Sequence, residues 1–193
     1  MRHPFEILEP SRFRQLYWFF LVSTLALAVV LQVIGNQFAQ KTGPTGDSYN
    51  ILDFEFAHTP GRAGQIMETW GPDGVRAAKI QTWVDFLFLI AYSNAIALGV
   101  LSVMSARGGS GFLASLGRGL AYGQWLAAIC DVIENIALLR ILGGTAAPSW
   151  PAVAYYCAII KFALVGAGLL YVLVMLPYAS RKTSPSTVIG MES

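Results

Sequence analysis

Apolar residues in this chain fall in long runs, broken at intervals by stretches rich in Gly, Pro and charged residues. A helix that crosses a bilayer needs roughly 20 predominantly apolar residues. Four runs meet that length, at about residues 16–35, 80–104, 119–142 and 152–178. Gly-Gly-Ser-Gly at residues 108–111 divides the second run from the third, and a Gly- and Pro-marked break at residues 143–148 divides the third from the fourth. So short a link makes the last two helices antiparallel neighbours. The pattern predicts an all-α membrane protein, with residues 1–193 forming one antiparallel four-helix transmembrane bundle.

The segment between the first two runs, about residues 36–79, has its own pattern. Leu52, Phe54 and Phe56 alternate with Asp53 and Glu55, the period of two expected of a short strand. Thr59-Pro60 then reads as an N-cap and first helical position. Ala63, Ile66, Met67 and Trp70 follow at helical spacing, with Arg62, Gln65, Glu68 and Thr69 on the other faces. This is an amphipathic helix suited to a membrane surface. It is either a lid over the outer mouth of the bundle or a surface helix that shields the bundle's end. Gly71-Pro72-Asp73-Gly74 breaks it before the second run. Asp53, Glu55 and His58 are close enough in sequence to suggest a metal site, but their spacing matches no ligand pattern and a solvated face is expected instead.

Composition agrees with the membrane assignment. Of 193 residues, 55% are hydrophobic and 12% charged, against roughly 25% charged in soluble domains. A net charge of +2 without a dense basic patch excludes a nucleic-acid partner, and two cysteines exclude a disulfide scaffold. The first apolar run is longer than a cleaved signal h-region, and residues 36–40 make a poor cleavage site, so it reads as a retained anchor. Arg2, Arg12 and Arg14, Arg107 and Arg118, and Arg181 and Lys182 flank the spans on one side. Both termini are therefore expected in the cytoplasm, with residues 36–79 outside an inner (plasma) membrane that the chain crosses several times.

Four ionisable residues lie within the runs: Asp85, Asp131, Glu134 and Lys161. A charge in the bilayer core costs at least roughly 2.5–3.5 kcal/mol on insertion scales, so such residues are read as functional. At 1.5 Å rise per residue, Asp85 lies about 7 Å from the outer boundary, Glu134 about 12 Å, Lys161 about 13 Å and Asp131 about 16 Å. All four occupy the outer half. Asp131, Glu134 and Asn135 share one helix face, with Gln124 two turns earlier, while Gln81, Asp85 and Tyr92 share another. Small residues, among them Gly119, Gly123, Ala95, Gly99 and Gly168, mark close helix contacts below these groups. Three carboxylates cannot all stay ionised against one ammonium, so the catalytic candidates are Asp131, Glu134 and Asp85. Asn135, Lys161, Gln81, Tyr92 and Gln124 are the ligand-binding candidates. A Lys–carboxylate network with an Asn can equally serve only to glue helices.

No cofactor or metal is expected: no His lies in any span, and no phosphate loop is present. Trp83-x-Asp85-Phe86-x-Phe88-x-x-x-Tyr92 and Asp131-x-x-Glu134-Asn135 resemble an uncharacterised group of bacterial four-span membrane proteins, as do Leu52-Asp53-Phe54-Glu55 and Trp70-Gly71. The resemblance covers about residues 52–142 and implies no activity. A looser similarity is to EXPERA-type four-span proteins, which include sterol isomerases with buried acids.

Three functions remain. The first is a pocket in the outer half that binds or acts on a small or lipid-like molecule. The second is an assembly subunit that partners another membrane protein and uses the polar cluster to fix helix register. The third is a proton or small-solute conduit. A pocket requires a cavity of roughly 300 Å³ or more beside the cluster. Glue requires a closed, void-free network. A conduit requires polar groups that continue to the cytoplasmic side.

Overall fold

The computed structural model describes residues 2–43, 46–106, 108, 110–144 and 147–180, with side chains through residue 177. Arg107, Arg181 and Lys182, used above for orientation, lie outside the described residues, as do Gly109, Thr145 and Ala146 of the two short links. A 3₁₀ turn, Pro4–Ile7, precedes helices α1 (Pro10–Ala39), α2 (Ile51–Glu55), α3 (Pro60–Ala106), α4 (Gly111–Leu142) and α5 (Trp150–Ser180). Three of these segments, Pro10–Ala39, Pro60–Ala106 and Trp150–Pro177, are long and apolar enough to cross a membrane. The fourth long helix, α4, carries Gln124, Asp131, Glu134 and Asn135, all buried.

Cross-helix contacts set the packing. Gln81 of α3 donates to Leu31 O of α1, while Gly99 faces Tyr17, so α1 and α3 run antiparallel. The pairs Asp85–Asn135, Tyr92–Asp131 and Asn94–Trp125 make α3 and α4 antiparallel as well. Lys161–Glu134 and Gln124–Leu164 do the same for α4 and α5. The helices α3, α4 and α5 pack against one another, and α1 packs along α3 but not comparably along α5.

The expected strand is a helix. Asn50 accepts hydrogen bonds from the backbone N–H groups of Leu52 and Asp53, and Asp53 accepts from that of Asn50. This reciprocal capping box satisfies the first-turn donors and nucleates α2. The alternation misleads because Phe54 is buried whereas Leu52 and Phe56 are exposed. Among the described residues there is no strand, only one isolated bridge between Thr42 and Ser48.

The amphipathic helix forms as its spacing requires, as the first part of α3. Thr59 Oγ1 accepts from Arg62 N, and Ala63, Ile66 and Trp70 are buried. Its apolar face packs on protein. Trp70 meets Phe38 of α1 and Phe54 of α2, with ring centroids 4.6 and 5.1 Å away, and its Nε1 donates to Tyr49 O at 2.7 Å. Lys41 Nζ donates to Trp70 O at 2.8 Å, just before the kink at Gly71. The chain then turns at Gly71, whose φ of 64° and ψ of 179° only glycine adopts readily, and Pro72 starts the second part of α3.

Two apolar cores result. One, at the end near α2, gathers Phe38, Phe54, Ile66, Trp70 and Leu138. The other, at the opposite end, gathers Val100, Leu101, Met104, Tyr171 and Met175, with Phe5 and Phe13 packed on it. The ionisable residues lie between them.

Candidate functional site

The site is built on Lys161 of α5. Its Nζ donates to Asp131 Oδ1 at 3.0 Å and to Glu134 Oε1 at 2.9 Å, both on α4. A third carboxylate, Glu55 Oε2 of α2, lies 3.5 Å away. Asp131 Oδ2 accepts from Tyr92 OH at 2.8 Å, and Asp85 Oδ2 accepts from Asn135 Nδ2 at 2.7 Å. Lys161, Asp131, Glu134 and Asn135 are buried. The depth and face arguments from the sequence thus bring Asp85, Tyr92, Asp131, Glu134, Asn135 and Lys161 together.

Glu55 completes the cluster and was not among the expected site residues. Its short helix packs against α3 and α5, and it is 9% exposed. Sequence grouped it with Asp53 and His58, but the three diverge. Asp53 is used as a helix cap, and His58, at a φ of 56°, packs on Tyr155 and Tyr156. No group of metal-ligating side chains occurs among the described residues. Burial pushes the Glu55 carboxyl above the usual carboxylate range and outweighs the pull of Lys161.

A cavity of about 730 Å³ opens beside this cluster. Asp85, Asp131, Asn135, Lys161, Tyr92 and Gln81 border its polar end, with Asn50 and Glu55 of the segment between α1 and α3. Ala28 of α1, Ala95 and Ile96 of α3, and Val165, Leu169 and Val172 of α5 line the rest. Helices α1 and α5 form its facing walls.

Two expected binding residues stand apart from a shared role. Gln81 borders the cavity, yet its Nε2 is held by Leu31 O at 3.1 Å, and its Oε1 is buried without a partner. Gln124 is not on the cavity wall. Its Nε2 donates to Leu164 O at 2.9 Å and Leu120 O at 3.3 Å, so it ties α4 to α5. Sharing a face with Asp131 did not suffice, because two helical turns carry it past the end of the polar layer. The small-residue marks divide in the same way. A Cβ at Gly168 would collide with Gln124, whereas one at Gly119 would meet nothing within 4 Å. Ala95 borders the cavity, and Gly99 borders both the cavity and a helix contact.

At the opposite end, His3 is fully buried among Phe5, Tyr122 and Trp125. Glu6 pairs with Arg118 at 3.0 Å, fastening the N-terminal turn to α4. The only sequence signal for this was the His3-x-x-Glu6 capping pattern beside Pro4.

No known family model, curated protein or solved structure matches the chain.

Proposed function

We propose that the chain is a multi-pass inner-membrane protein whose four long helices cross the bilayer, and that its cavity binds or acts on a small, lipid-like molecule. The inward-facing polar residues of α4 support counting it as a span. Its outward positions Leu126, Ile129, Ile133 and Ile136 are exposed and apolar, so its polar side chains are spent inside the protein. The positive flanks favour cytoplasmic termini and place the cavity's polar end in the outer half.

The observation that carries the reading is the cavity itself, about 730 Å³ and bordered by Asp85, Asp131 and Lys161. Helix glue alone would need no such void. Asp85 and Asp131 are the groups placed to act on a ligand as acid, base or hydrogen-bonding partner. Asn135 orients Asp85, and Lys161 balances Asp131. Glu134 stands behind them, off the cavity wall, and acts through Lys161. A conduit fits poorly, because the core at the far end is apolar. The assembly reading draws on one feature, the direct ion pairs at Lys161.

Asp85→Asn separates the two main readings, since an Asn still offers Asn135 an acceptor. The pocket reading expects an unchanged melting temperature and loss of a co-purifying small molecule, measured by native mass spectrometry. A lowered melting temperature with no bound molecule in either protein would favour assembly.

A further inference from the structure

Carboxyl groups dominate the polar end of the cavity, where Glu55, Asp85 and Asp131 border it. Gln81 is 7% exposed and borders the cavity, and its Oε1 has no partner. The amide orientation is set by Nε2 donating to Leu31 O, so the orphaned atom is an acceptor. The Asp85 carboxylate borders the same space, with one oxygen taken by Asn135. The cation at the wall, Lys161, already faces Glu55, Asp131 and Glu134. Two of its N–H groups are held by Asp131 and Glu134, and the Glu55 carboxyl lies 3.5 Å away.

The remainder of the cavity is long and apolar. Along α3 it runs from Asp85 to Gly99, about 21 Å at 1.5 Å per residue. That exceeds half of a hydrocarbon core of about 30 Å. Gly99 lies at its far end, between Tyr17 of α1 and Val172 of α5. The seam between α1 and α5 is not packed shut, which leaves a side route from the bilayer.

Resting on the pocket reading above, we infer that the cavity takes a single-chain amphiphile with a donor-bearing head, a hydroxyl or an amine. The head sits at Asp85, and the chain lies in the slot between α1 and α5. A carboxylate or phosphate head is disfavoured, because it would bring more acceptors and negative charge to a site that already has both.

The test uses the full chain in phosphatidylcholine nanodiscs, titrated with hexadecanol, hexadecylamine, palmitate and octylamine, with native mass spectrometry for stoichiometry. Hexadecanol and hexadecylamine should bind one per protein, at least about tenfold tighter than palmitate. Ala95→Trp, which fills the middle of the slot, should abolish hexadecylamine binding and spare octylamine, whose chain ends short of that position. Palmitate binding as tightly as hexadecanol would overturn the head-group inference and leave the pocket standing. Equal binding of hexadecylamine to wild type and Ala95→Trp would overturn the slot. Saturable binding of none of the probes would overturn both this inference and the pocket reading.

Discussion

Lys161 Nζ of α5 and Glu55 Oε2 of α2 meet at 3.5 Å, which ties the segment between α1 and α3 to the buried polar layer. Glu55 is the member of that layer carried on the shortest helix, Ile51–Glu55. Its carboxyl is raised by burial, so docking of α2 favours the protonated form. A carboxyl whose pKa rises on folding contributes stability that is complete below its unfolded value and is lost as pH rises through the folded value. Hydrogen exchange of the α2 amides, corrected for intrinsic rate, should show more opening as pH rises from about 5 to 9. In Glu55→Gln that dependence should vanish. A pH-independent wild type would contradict the assignment.

The opposite end responds with the opposite sign. Burial pushes the His3 imidazole below its ordinary value, with Glu6 opposing. His3 Nδ1 accepts from Phe5 N at 3.3 Å, and a protonated ring cannot accept there. The contribution of His3 is present above the ordinary histidine value and lost as pH falls through the lowered one. Proteolysis of the N-terminal turn should therefore accelerate on acidification. His3→Phe keeps an aromatic ring among Phe5, Tyr122 and Trp125 and should remove the acceleration.

Lys161→Met should be the most damaging single change in the polar layer. It leaves Asp131 and Glu134 buried without their cation, at a cost of about 3–5 kcal/mol. Removing a carboxyl at the same time, in Lys161→Met with Glu134→Met, should recover a substantial part of that loss. Thermal unfolding in a mild detergent reads both. If the double variant were no more stable than the single, Lys161 and Glu134 would not be coupled.

Two glycines of similar appearance in sequence should behave differently. At Gly168 an added methyl would press on the Gln124 amide that holds Leu164 O, and overpacking of this kind costs about 1–3 kcal/mol. At Gly119 the space is open, so Gly119→Ala should be neutral or stabilise by up to about 1 kcal/mol through helix propensity. Melting temperatures of the two alanine variants decide the matter.

Much of this architecture was legible from spacing alone. Apolar runs marked the long helices, and the i, i+3, i+4 relation of Asp131, Glu134 and Asn135 turned them to one face. Depth counting then brought Lys161 and Asp85 to the same level. Other features depend on contacts distant in sequence. Leu52 to Phe56 alternate like a strand, but the Asn50–Asp53 capping box, a local signal present in the sequence, starts a helix there. Glu55 joined the cluster only because α2 folds back onto α5, which no periodicity within residues 51–55 encodes. The amphipathic face of α3 suited a membrane surface and a protein core equally. Phe38 and Phe54, on separate elements, decide for the core. The cavity was least legible, since it arises from how α1 leans on α3 and away from α5.

The central claim is that the space beside Asp85 and Lys161 holds a ligand. The most direct measurement is native mass spectrometry of the protein purified from its membrane, with the bound fraction extracted and identified. A stoichiometric single-chain amphiphile, present in wild type and absent from Ala95→Trp at unchanged melting temperature, is the result expected. An empty, well-folded wild type, still empty after reconstitution with its own membrane lipids, would contradict it.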